Sequence, residues 1–460
     1  MFPLCTEQEP HRPIVEHPTS LWDEKAIGLA ATNAPPCAVS PDREIRRILS
    51  EYPGHGPRES LAAVEALRRR LPPPPGTPAV VVVGTNGKTG AATYLARLLT
   101  ASGIRTGLYV SPHLAEWTER IRVDDVPCDP QRLVEALAAV HGATTPDERR
   151  SDLRFFDVLT LAAERLLGSA GAAVVVFEAG IGGRLDAVRL LQPRLVLLTG
   201  VALDHAEILG EDLGGILEEK LLVAPPGATV LSPALGPELD ELAADIAAAG
   251  GFQVVRVDAD LAELWQRAPE LPAYLGSALA LAEAGREQVV AMLGRSPEEI
   301  APRAAVDLWL AGRFECGERE GVPYVLDAAH NEQAWMELAA ELRRRAGDLG
   351  ERSLVALLSV SPGKRRDALP RALRSMPALA AAIATRHTAL PAADPDTVAA
   401  ELWAGGVEAT AVEDVEAAIA AAFERARHLG GRVVVLGSTH LVGDVRRCLD
   451  LPASRAAAPG

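Results

Sequence analysis

The 460-residue sequence lacks the features that mark membrane, secreted and nucleic-acid-binding proteins. No apolar run approaches the ~18 residues of a membrane helix, and residues 1–17 carry Glu, His and Pro where a signal peptide would be apolar. The five cysteines are dispersed without a CxxC pair, as expected of reduced thiols. A net charge of −16 disfavours non-specific binding to nucleic acid. These absences predict a cytoplasmic protein without a membrane or nucleic-acid partner.

A glycine-rich loop between an apolar strand and a helix with an apolar face is the centre of the sequence. Glycines let the backbone approach an anion closely, and the loop N–H groups and the following helix N-terminus attract phosphate. Lys88 can reach the β- and γ-phosphates of ATP, and Thr89 offers a hydroxyl to Mg²⁺. The alternative is a tight turn with an incidental lysine. The predicted phosphate loop consists of Gly84, Thr85, Asn86, Gly87, Lys88, Thr89 and Gly90.

Apolar runs without alternation recur along the chain, separated by stretches with helical periodicity. Such runs indicate a parallel sheet whose two faces are both covered by helices. Ligands bind such sheets beyond the carboxyl ends of the strands. The polar residues Lys88, Ser111, Glu178 and His205 all come just after apolar runs, so we expect four functional groups at one edge of one sheet.

A gap with Gly294, Pro297 and Pro302 separates two series of predicted strands and helices. The first series contains the phosphate loop and the second is shorter. The sequence therefore predicts a loosely ordered extension over residues 1–40, an ATP-binding domain over 41–298, a smaller α/β domain over 305–450 and a tail over 451–460.

Further motifs follow the loop in a fixed order. They are Ser111-Pro112-His113-Leu114, Phe156-Asp157, Glu178-Ala179-Gly180-Ile181-Gly182-Gly183-Arg184-Leu185-Asp186-Ala187, Leu203-Asp204-His205, Glu219-Lys220, Gly312-Arg313-Phe314-Glu315, Asp327-Ala328-Ala329-His330-Asn331 and Gly437-Ser438. With the loop, this ordered set resembles the folylpolyglutamate synthase/dihydrofolate synthase family of the Mur ligase superfamily. The resemblance implies an α/β fold: a P-loop Mur-ligase-type central domain with a mostly parallel sheet, followed by a smaller C-terminal Rossmann-like α/β domain.

The resemblance implies an ATP-dependent ligase. Such enzymes activate a folate-type or dihydropteroate-type carboxylate as an acyl phosphate, which the amine of glutamate then attacks. The implied partners are these small molecules, the implied cofactors are ATP and Mg²⁺, and the expected state is a monomer. The implied Mg²⁺ ligands are Ser111, Glu178 and His205.

The resemblance also assigns residues outside the loop and the metal site. Lys220 matches a lysine that is carbamylated in the family, and Lys88, Lys220 and His330 are the expected catalytic residues. Arg313, Asp327 and His330 would bring the second domain onto ATP. The expected substrate-binding residues are Arg120, Phe156, Asp186 and Ser438.

Several of these residues have a structural alternative. Glu178 could be a strand-end carboxylate paired with Arg184, and Lys220 a solvated helix lysine. The remaining alternatives place His205 at a helix start beside Asp204, and make Asp327 and His330 helix caps.

Other positions depart from the family pattern. The stretch Leu271–Ala280 has no His, Gln or Asn, where the family carries an adenine-contacting Asn. Pro362-Gly363-Lys364-Arg365 replaces Asp-Lys-Asp, Pro391-Ala392 replaces Pro-Arg, and Val188-Arg189 replaces Thr-Asn. Two alternatives therefore stay open: a ligase for a non-folate carboxylate, and a non-catalytic nucleotide-binding protein.

Overall fold

The apolar runs form two separate sheets, each layered between helices. The computed structural model describes residues 40–452 except 55, 57, 73–75, 211, 258–270, 297–305, 350–351, 363 and 390. Most of the predicted extension and tail, and the predicted linker around Pro297 and Pro302, therefore lie outside the described residues. No helix within the described ranges is both long and apolar enough to cross a membrane.

The first sheet has eight strands in the order β4-β3-β2-β5-β1-β6-β7-β8. Its strands are β1 Ala79–Val83, β2 Thr106–Tyr109, β3 Ile121–Val123, β4 Val126–Pro127, β5 Val174–Glu178, β6 Leu195–Leu198, β7 Thr229–Ser232 and β8 Gln253–Arg256. The six strands β2, β5, β1, β6, β7 and β8 are parallel to their neighbours in this order. The β2–β3 and β3–β4 pairs are antiparallel.

Ten α-helices within the described ranges accompany this sheet. They are α1 Pro41–Leu49, α2 Ala62–Arg70, α3 Lys88–Ala101, α4 Pro130–Gly142, α5 Pro146–Ser151, α6 Phe155–Ser169, α7 Ala206–Leu209, α8 Leu213–Leu221, α9 Pro237–Gly250 and α10 Ala273–Met292. Short 3₁₀ helices cover Trp117–Arg120 and Ala187–Leu191.

The second sheet has six strands in the order β13-β12-β11-β14-β10-β9, with only β9 antiparallel. Its strands are β9 Glu315–Arg319, β10 Val322–Leu326, β11 Leu354–Leu358, β12 Leu379–Ala384, β13 Ala409–Ala411 and β14 Arg432–Leu436. Its helices within the described ranges are α11 Glu332–Arg344, α12 Ala346–Leu349, α13 Leu369–Arg374, α14 Pro395–Ala404, α15 Val415–His428 and α16 Thr439–Cys448.

The central strand β1 shows why its sequence has no alternation. Val80 and Val82 pack with α3 and α10, whereas Val81 and Val83 pack with α4 and α6 on the opposite face. All four valines are fully buried. Burial on both faces removes the need for polar residues, and it places the carboxyl end of β1, and hence the phosphate loop, in the middle of the sheet.

The predicted fold class is confirmed: both sheets are mostly parallel and layered by helices. The antiparallel strands β3, β4 and β9 were not predicted. β3 and β4 have only three and two residues, and β9 mixes buried and exposed residues at the edge of its sheet, so none of them forms a continuous apolar run. The domain boundaries stay a prediction, since the boundary falls outside the described residues.

Candidate active site

The phosphate loop turns sharply where β1 ends. Gly84 has φ +146°, and a Cβ at this position would lie 1.9 Å from Thr199 Oγ1. The Thr199 hydroxyl donates to the Asn86 carbonyl at 2.6 Å, and the Thr85 N–H donates to the Gly200 carbonyl at 3.0 Å. The loop after β6 therefore holds the phosphate loop from outside, and only glycine fits at position 84.

Two lysines meet at this loop, the buried Lys220 and the half-buried Lys88. Lys88 Nζ donates to the carbonyls of Gly84 at 3.1 Å and Thr85 at 2.9 Å, and Lys220 Nζ donates to the same Gly84 carbonyl at 2.9 Å. Burial, together with the charge of Lys88, lowers the pKa of Lys220 to about 7. Lys220 is 3% exposed, whereas Glu218 on the same helix is exposed. The alternative of a solvated helix lysine is therefore wrong.

Glu178, the last residue of β5, is tied to the first turn of α3. The Thr89 hydroxyl lies 3.0 Å from each of its carboxylate oxygens, and the Ser111 N–H donates to Oε2 at 3.0 Å. Burial raises the pKa of Glu178. Arg184 pairs with Glu219 instead, with a 2.7 Å bond from its Nε. The alternative of a Glu178–Arg184 pair is therefore wrong.

The predicted metal ligands come from three neighbouring loops. His205 follows β6 with φ +52°, and its N–H donates to Asp204 Oδ1 at 2.8 Å. It directly precedes α7, so this position is compatible with both the metal role and the helix-start role. Over the described ranges no three His, Cys, Asp or Glu side chains cluster as a metal site. The predicted set has only two such residues beside Ser111, and it stays a prediction.

Asp327 is buried at the end of β10 in the second sheet. It accepts from the N–H groups of Phe314 and Ala329, each at 2.8 Å, and from the Tyr274 hydroxyl. Burial raises its pKa, and the charge of Arg313 opposes that rise. Asp327 thus ties α10 and the residues before β9 to the carboxyl end of β10.

His330 lies between Asp327 and the first sheet. Its Nδ1 donates to the Ala328 carbonyl at 2.9 Å, and its Nε2 lies 3.7 Å from Asp204 Oδ2. Burial lowers the pKa of His330 to about 4, so the ring is neutral at pH 7. The helix that follows, α11, is capped by Asn331. The alternative roles of Asp327 and His330 as helix caps are therefore wrong.

A network of side chains joins the two sheets at the phosphate loop. Asn331 Nδ2 donates to Asn86 Oδ1 at 2.9 Å and to Asp204 Oδ2 at 3.0 Å, and Asn86 Nδ2 donates to Gln333 Oε1 at 3.0 Å. Lys364 forms an ion pair with Asp204. The sequence motifs contain four of these residues but carry no signal that they pair.

A cavity of about 160 Å³ lies in the first sheet's half of the molecule. Phe156 and Asp186, two of the predicted substrate residues, line it together with Arg58 and Asp157. Asp186 accepts from the N–H groups of Gly180 at 2.8 Å and Val188 at 3.0 Å, and burial raises its pKa to about 6. Sequence reasoning missed Arg58, whose Nη2 lies 3.0 and 2.9 Å from the two Asp157 oxygens.

Arg120 and Ser438, the other two predicted substrate residues, do not line this cavity. The buried Arg120 donates from Nε to His113 Nδ1 at 2.8 Å and lies over the Trp117 ring. Ser438 caps α16. The structure therefore divides the predicted substrate residues between two places.

The segment around Leu114 contacts the second sheet's helices. A Cβ at Gly443, in α16, would lie only 2.0 Å from the Leu114 carbonyl oxygen. A Cβ at Gly312 would lie 3.3 Å from the Leu114 side chain. The loop after β2 thus packs directly against α16, so that the 111–114 segment lies at the junction of the two halves.

Comparison with known proteins agrees with this architecture. The Mur ligase, glutamate ligase domain family matches residues 312–439, which span most of the second sheet. A probable bifunctional folylpolyglutamate synthase/dihydropteroate synthase from Haloferax volcanii is 31% identical over 425 residues, covering 83% of this chain and 48% of the relative. A dihydrofolate synthase/folylpolyglutamate synthase from Haemophilus influenzae is 29% identical over 290 residues, covering 57% of this chain and 64% of the relative.

Solved structures extend the match over both sheets. The bifunctional folylpolyglutamate synthase/dihydrofolate synthase from Yersinia pestis, complexed with AMPPNP and Mn, has a TM-score of 0.73 at 26% identity, covering 91% of this chain and 100% of that chain. Over both sheets the chain is therefore similar to the folylpolyglutamate synthase/dihydrofolate synthase family, and residues 312–439 match the Mur ligase, glutamate ligase domain family. Another structure of this family, with Mn, AMPPNP and L-glutamate bound, has a TM-score of 0.69 at 26% identity, covering 86% and 95%. The chain spans about half the length of the first curated relatives it matches.

Proposed function

We propose that the chain is an ATP- and Mg²⁺-dependent ligase that joins a folate-type or dihydropteroate-type carboxylate to the amine of glutamate. The reaction runs through an acyl phosphate. The observation that carries the proposal is the convergence of Lys88, Lys220 and Glu178 on one phosphate loop. A purely structural strand-to-helix turn has no need of a buried lysine and a half-buried lysine beside a buried carboxylate, because each desolvated charge costs free energy.

The loop and Lys88 stabilise the transferring phosphoryl group. The loop N–H groups and the α3 N-terminus face the phosphates, and Lys88 neutralises charge as the γ-phosphorus moves to the substrate carboxylate. The oxygens of Thr89, Ser111 and Glu178 fit a hard cation such as Mg²⁺, with His205 assigned beside them by family resemblance. When bound, Mg²⁺ would supply further charge neutralisation on the phosphates.

Lys220 is the proposed site of carbamylation. Its amine must be neutral to attack CO₂, and a pKa of about 7 leaves much of it neutral at physiological pH. The ammonium first loses one proton, and the neutral amine nitrogen then bonds to the carbon of CO₂ and releases a second proton, so that an anion replaces a cation. The carbamate nitrogen keeps one N–H, which can still donate to the Gly84 carbonyl, while the carbamate oxygens would be attracted by the positive charge of Lys88.

The cavity lined by Phe156 and Asp186 is the proposed acceptor site. Phe156 offers an aromatic ring, and the Asp186 carboxylate offers an acceptor to the N–H groups of a heterocycle. Asp157 and Arg58 add a buried ion pair to the same wall. These groups suit a conjugated ring with N–H donors, and they favour the pterin-containing acceptor over a simple aliphatic carboxylate.

The second sheet completes the site. Asp327, His330 and Arg313 are proposed to contact the nucleotide. In support, His330 Nε2 lies 3.7 Å from Asp204 Oδ2 in the first half, and the charge of Arg313 acts on both Lys88 and Asp327. Closure around the acyl phosphate excludes water, which would otherwise compete with the amine for the activated carboxyl group.

Measuring phosphate release and amide formation from ATP tests this proposal. Dihydropteroate, tetrahydrofolate and unrelated carboxylates would each be paired with glutamate and with other amino acids. The proposal expects amide only with a pterin-bearing carboxylate and glutamate. Amide from a different carboxylate would instead favour the alternative of a diverged ligase. The observation that supports this alternative is the replacement of Thr-Asn by Val188-Arg189, directly after the cavity-lining Ala187. Nucleotide binding without turnover of any pair would favour a non-catalytic protein.

A further inference from the structure

Lysine is rare in this chain, and the lysines are concentrated at one place. Only four of the 46 lysine and arginine residues are lysines: Lys25, Lys88, Lys220 and Lys364. Lys25 lies outside the described residues. The other three all lie around the phosphate loop, two on the Gly84 carbonyl and one on Asp204, which is linked to the loop through Asn331. A chain that uses arginine almost everywhere has lysine at the place where phosphate is expected.

Arginine follows Lys364 directly in the sequence, so a basic residue at this place in the chain is not necessarily a lysine. Lys364 is followed by Arg365 and Arg366, which pair within the second half of the chain, with Asp367 at 3.3 Å and Glu401 at 2.6 Å. Lys364, the first residue of this basic run, pairs with Asp204 in the first half. Lysine differs from arginine in presenting a compact ammonium, which suits a single phosphate oxygen, whereas the guanidinium fork prefers two acceptors.

Asp204 holds the Lys364 ammonium near the phosphate loop. Its side chain is 7% exposed and that of Lys364 is 15% exposed. The carboxylate also accepts from Asn331 Nδ2 at 3.0 Å and from the His205 N–H at 2.8 Å. Burial lowers the pKa of Lys88 and of His330, and the charge of Lys364 adds to both shifts, so the three groups share one electrostatic environment. This places an ammonium from the second sheet opposite the phosphate-binding groups of the first.

We propose that Lys364 is a cation that the second sheet contributes to the phosphoryl site, where it pairs with the γ-phosphate of ATP and with the acyl phosphate formed from it. The proposal rests on the proposed function, because only chemistry at the γ-phosphate gives this ammonium a substrate. In that chemistry a carboxylate oxygen bonds to the γ-phosphorus while the bond to the bridging oxygen breaks and ADP leaves. The amine then bonds to the acyl carbon, phosphate leaves and the amine loses a proton.

Nucleotide binding without turnover separates this role from a structural one. The probes are AMPPNP, which carries the γ-phosphate, and ADP, which does not, and their affinities are measured by calorimetry with Mg²⁺ present. Lys364→Met is expected to weaken AMPPNP about tenfold, the loss expected for one charge-assisted hydrogen bond, while ADP affinity changes little. Arg365→Met is the matched control, since Arg365 is the exposed neighbour that pairs with Asp367, and it is expected to change neither.

A second variant removes the effect of leaving Asp204 unpaired. Lys364→Met combined with Asp204→Asn leaves no buried unpaired charge, so it folds if charge imbalance alone destabilises the single variant. The double variant is expected to keep the selective loss of AMPPNP affinity. Equal losses for AMPPNP and ADP, or no loss for either, would overturn the role of Lys364.

Activity then distinguishes this inference from the proposed function. With an accepted pair of substrates, Lys364→Met is expected to lower kcat for amide about 100-fold and to raise the phosphate released per amide, because water reaches the acyl phosphate. A wild-type chain that binds AMPPNP through Lys364 but forms no amide with any pair would overturn the proposed function and leave the γ-phosphate contact standing. Unchanged kcat and unchanged coupling in Lys364→Met would overturn the inference alone.

Discussion

The two sheets contribute to the candidate site in different ways. In the first sheet, the loops after β1, β2, β5 and β6 carry groups that the backbone itself positions, as where the Ser111 N–H binds Glu178. In the second sheet, the groups after β10 and β11 are positioned by contacts with other parts of the chain. Asp327 accepts from Tyr274 of α10, and Lys364 pairs with Asp204 beyond β6.

This difference predicts that substitutions in the two sheets have different effects on the reaction. The first sheet forms a phosphate site from its own loops, so we expect this site to persist when contacts with the second sheet are lost. The second sheet's groups reach the loop only while Asn331, Asp204 and Asn86 stay in contact. Changes in the first sheet should therefore remove chemistry outright, whereas changes in the second should alter nucleotide affinity and the coupling of ATP use to product.

Replacing Lys88 should give the largest effect, because it removes a group from the first sheet's own site. Lys88→Ala is expected to lower kcat by ~10²–10³-fold or more, since the ammonium stabilises charge on the transferring phosphoryl group. The fold should persist, because α3 and β1 are held by apolar packing. Kinetics of amide formation and the thermal unfolding midpoint are the measurements. Near-wild-type ligation with any accepted substrate would contradict the role.

Replacing Lys220 tests whether its side chain acts as a free amine or, once carbamylated, as an anion. Lys220→Ala is expected to lose about 100-fold in kcat, with part of the activity recovered by acetate, which can occupy the vacated anion position. In the wild type, a lowered lysine pKa of about 7 means that the neutral, CO₂-reactive form declines as the pH falls below 7.

Activity after depletion of CO₂ should therefore recover faster with bicarbonate at pH 8 than at pH 6. A Lys220→Ala enzyme with full activity in the absence of acetate would show that the lysine serves packing only.

Replacing Asp327 breaks the second sheet's contribution and leaves the first intact. Asp327→Ala leaves the N–H groups of Phe314 and Ala329 without their carboxylate acceptor and frees the Tyr274 hydroxyl. We expect about a tenfold rise in the ATP KM, the cost of one lost charge-assisted contact. Asp327→Asn keeps the size of the side chain, and its ATP KM should lie between the values of the wild type and of Asp327→Ala. Unchanged kcat and ATP KM would count against a nucleotide role.

Replacing Gly443 should have the smallest effect, because it disturbs only the contact between the halves. In Gly443→Ala the new Cβ would lie 2.0 Å from the Leu114 carbonyl, so α16 must move away from the 111–114 loop. A decrease in kcat of a few fold is expected, with ADP affinity unchanged. Gly347→Ala is the matched control, since a Cβ there meets nothing within 4 Å. Equal activity of the two variants would show that this contact does not matter.

The sequence by itself determined the elements whose signals are local. The phosphate loop could be located because a buried strand, glycines at positions 84 and 87 and an apolar helix follow one another within a few residues. The same holds for Glu178 at the end of β5 and Asp327 after β10. Parallel strands buried on both faces produce continuous apolar runs, so the fold class was also visible.

Only the tertiary structure decided which distant residues meet. Asp204 and Lys364 are 160 residues apart, and Arg58 and Asp157 are 99 apart. Neither pair has a periodicity or spacing that indicates contact. Tyr274 lies in a helix with no obvious polar motif, yet it reaches Asp327 in the other half. Burial also changed the chemistry of residues that the sequence had named, because the pKa of Lys220 depends on the desolvation and neighbouring charge that packing imposes.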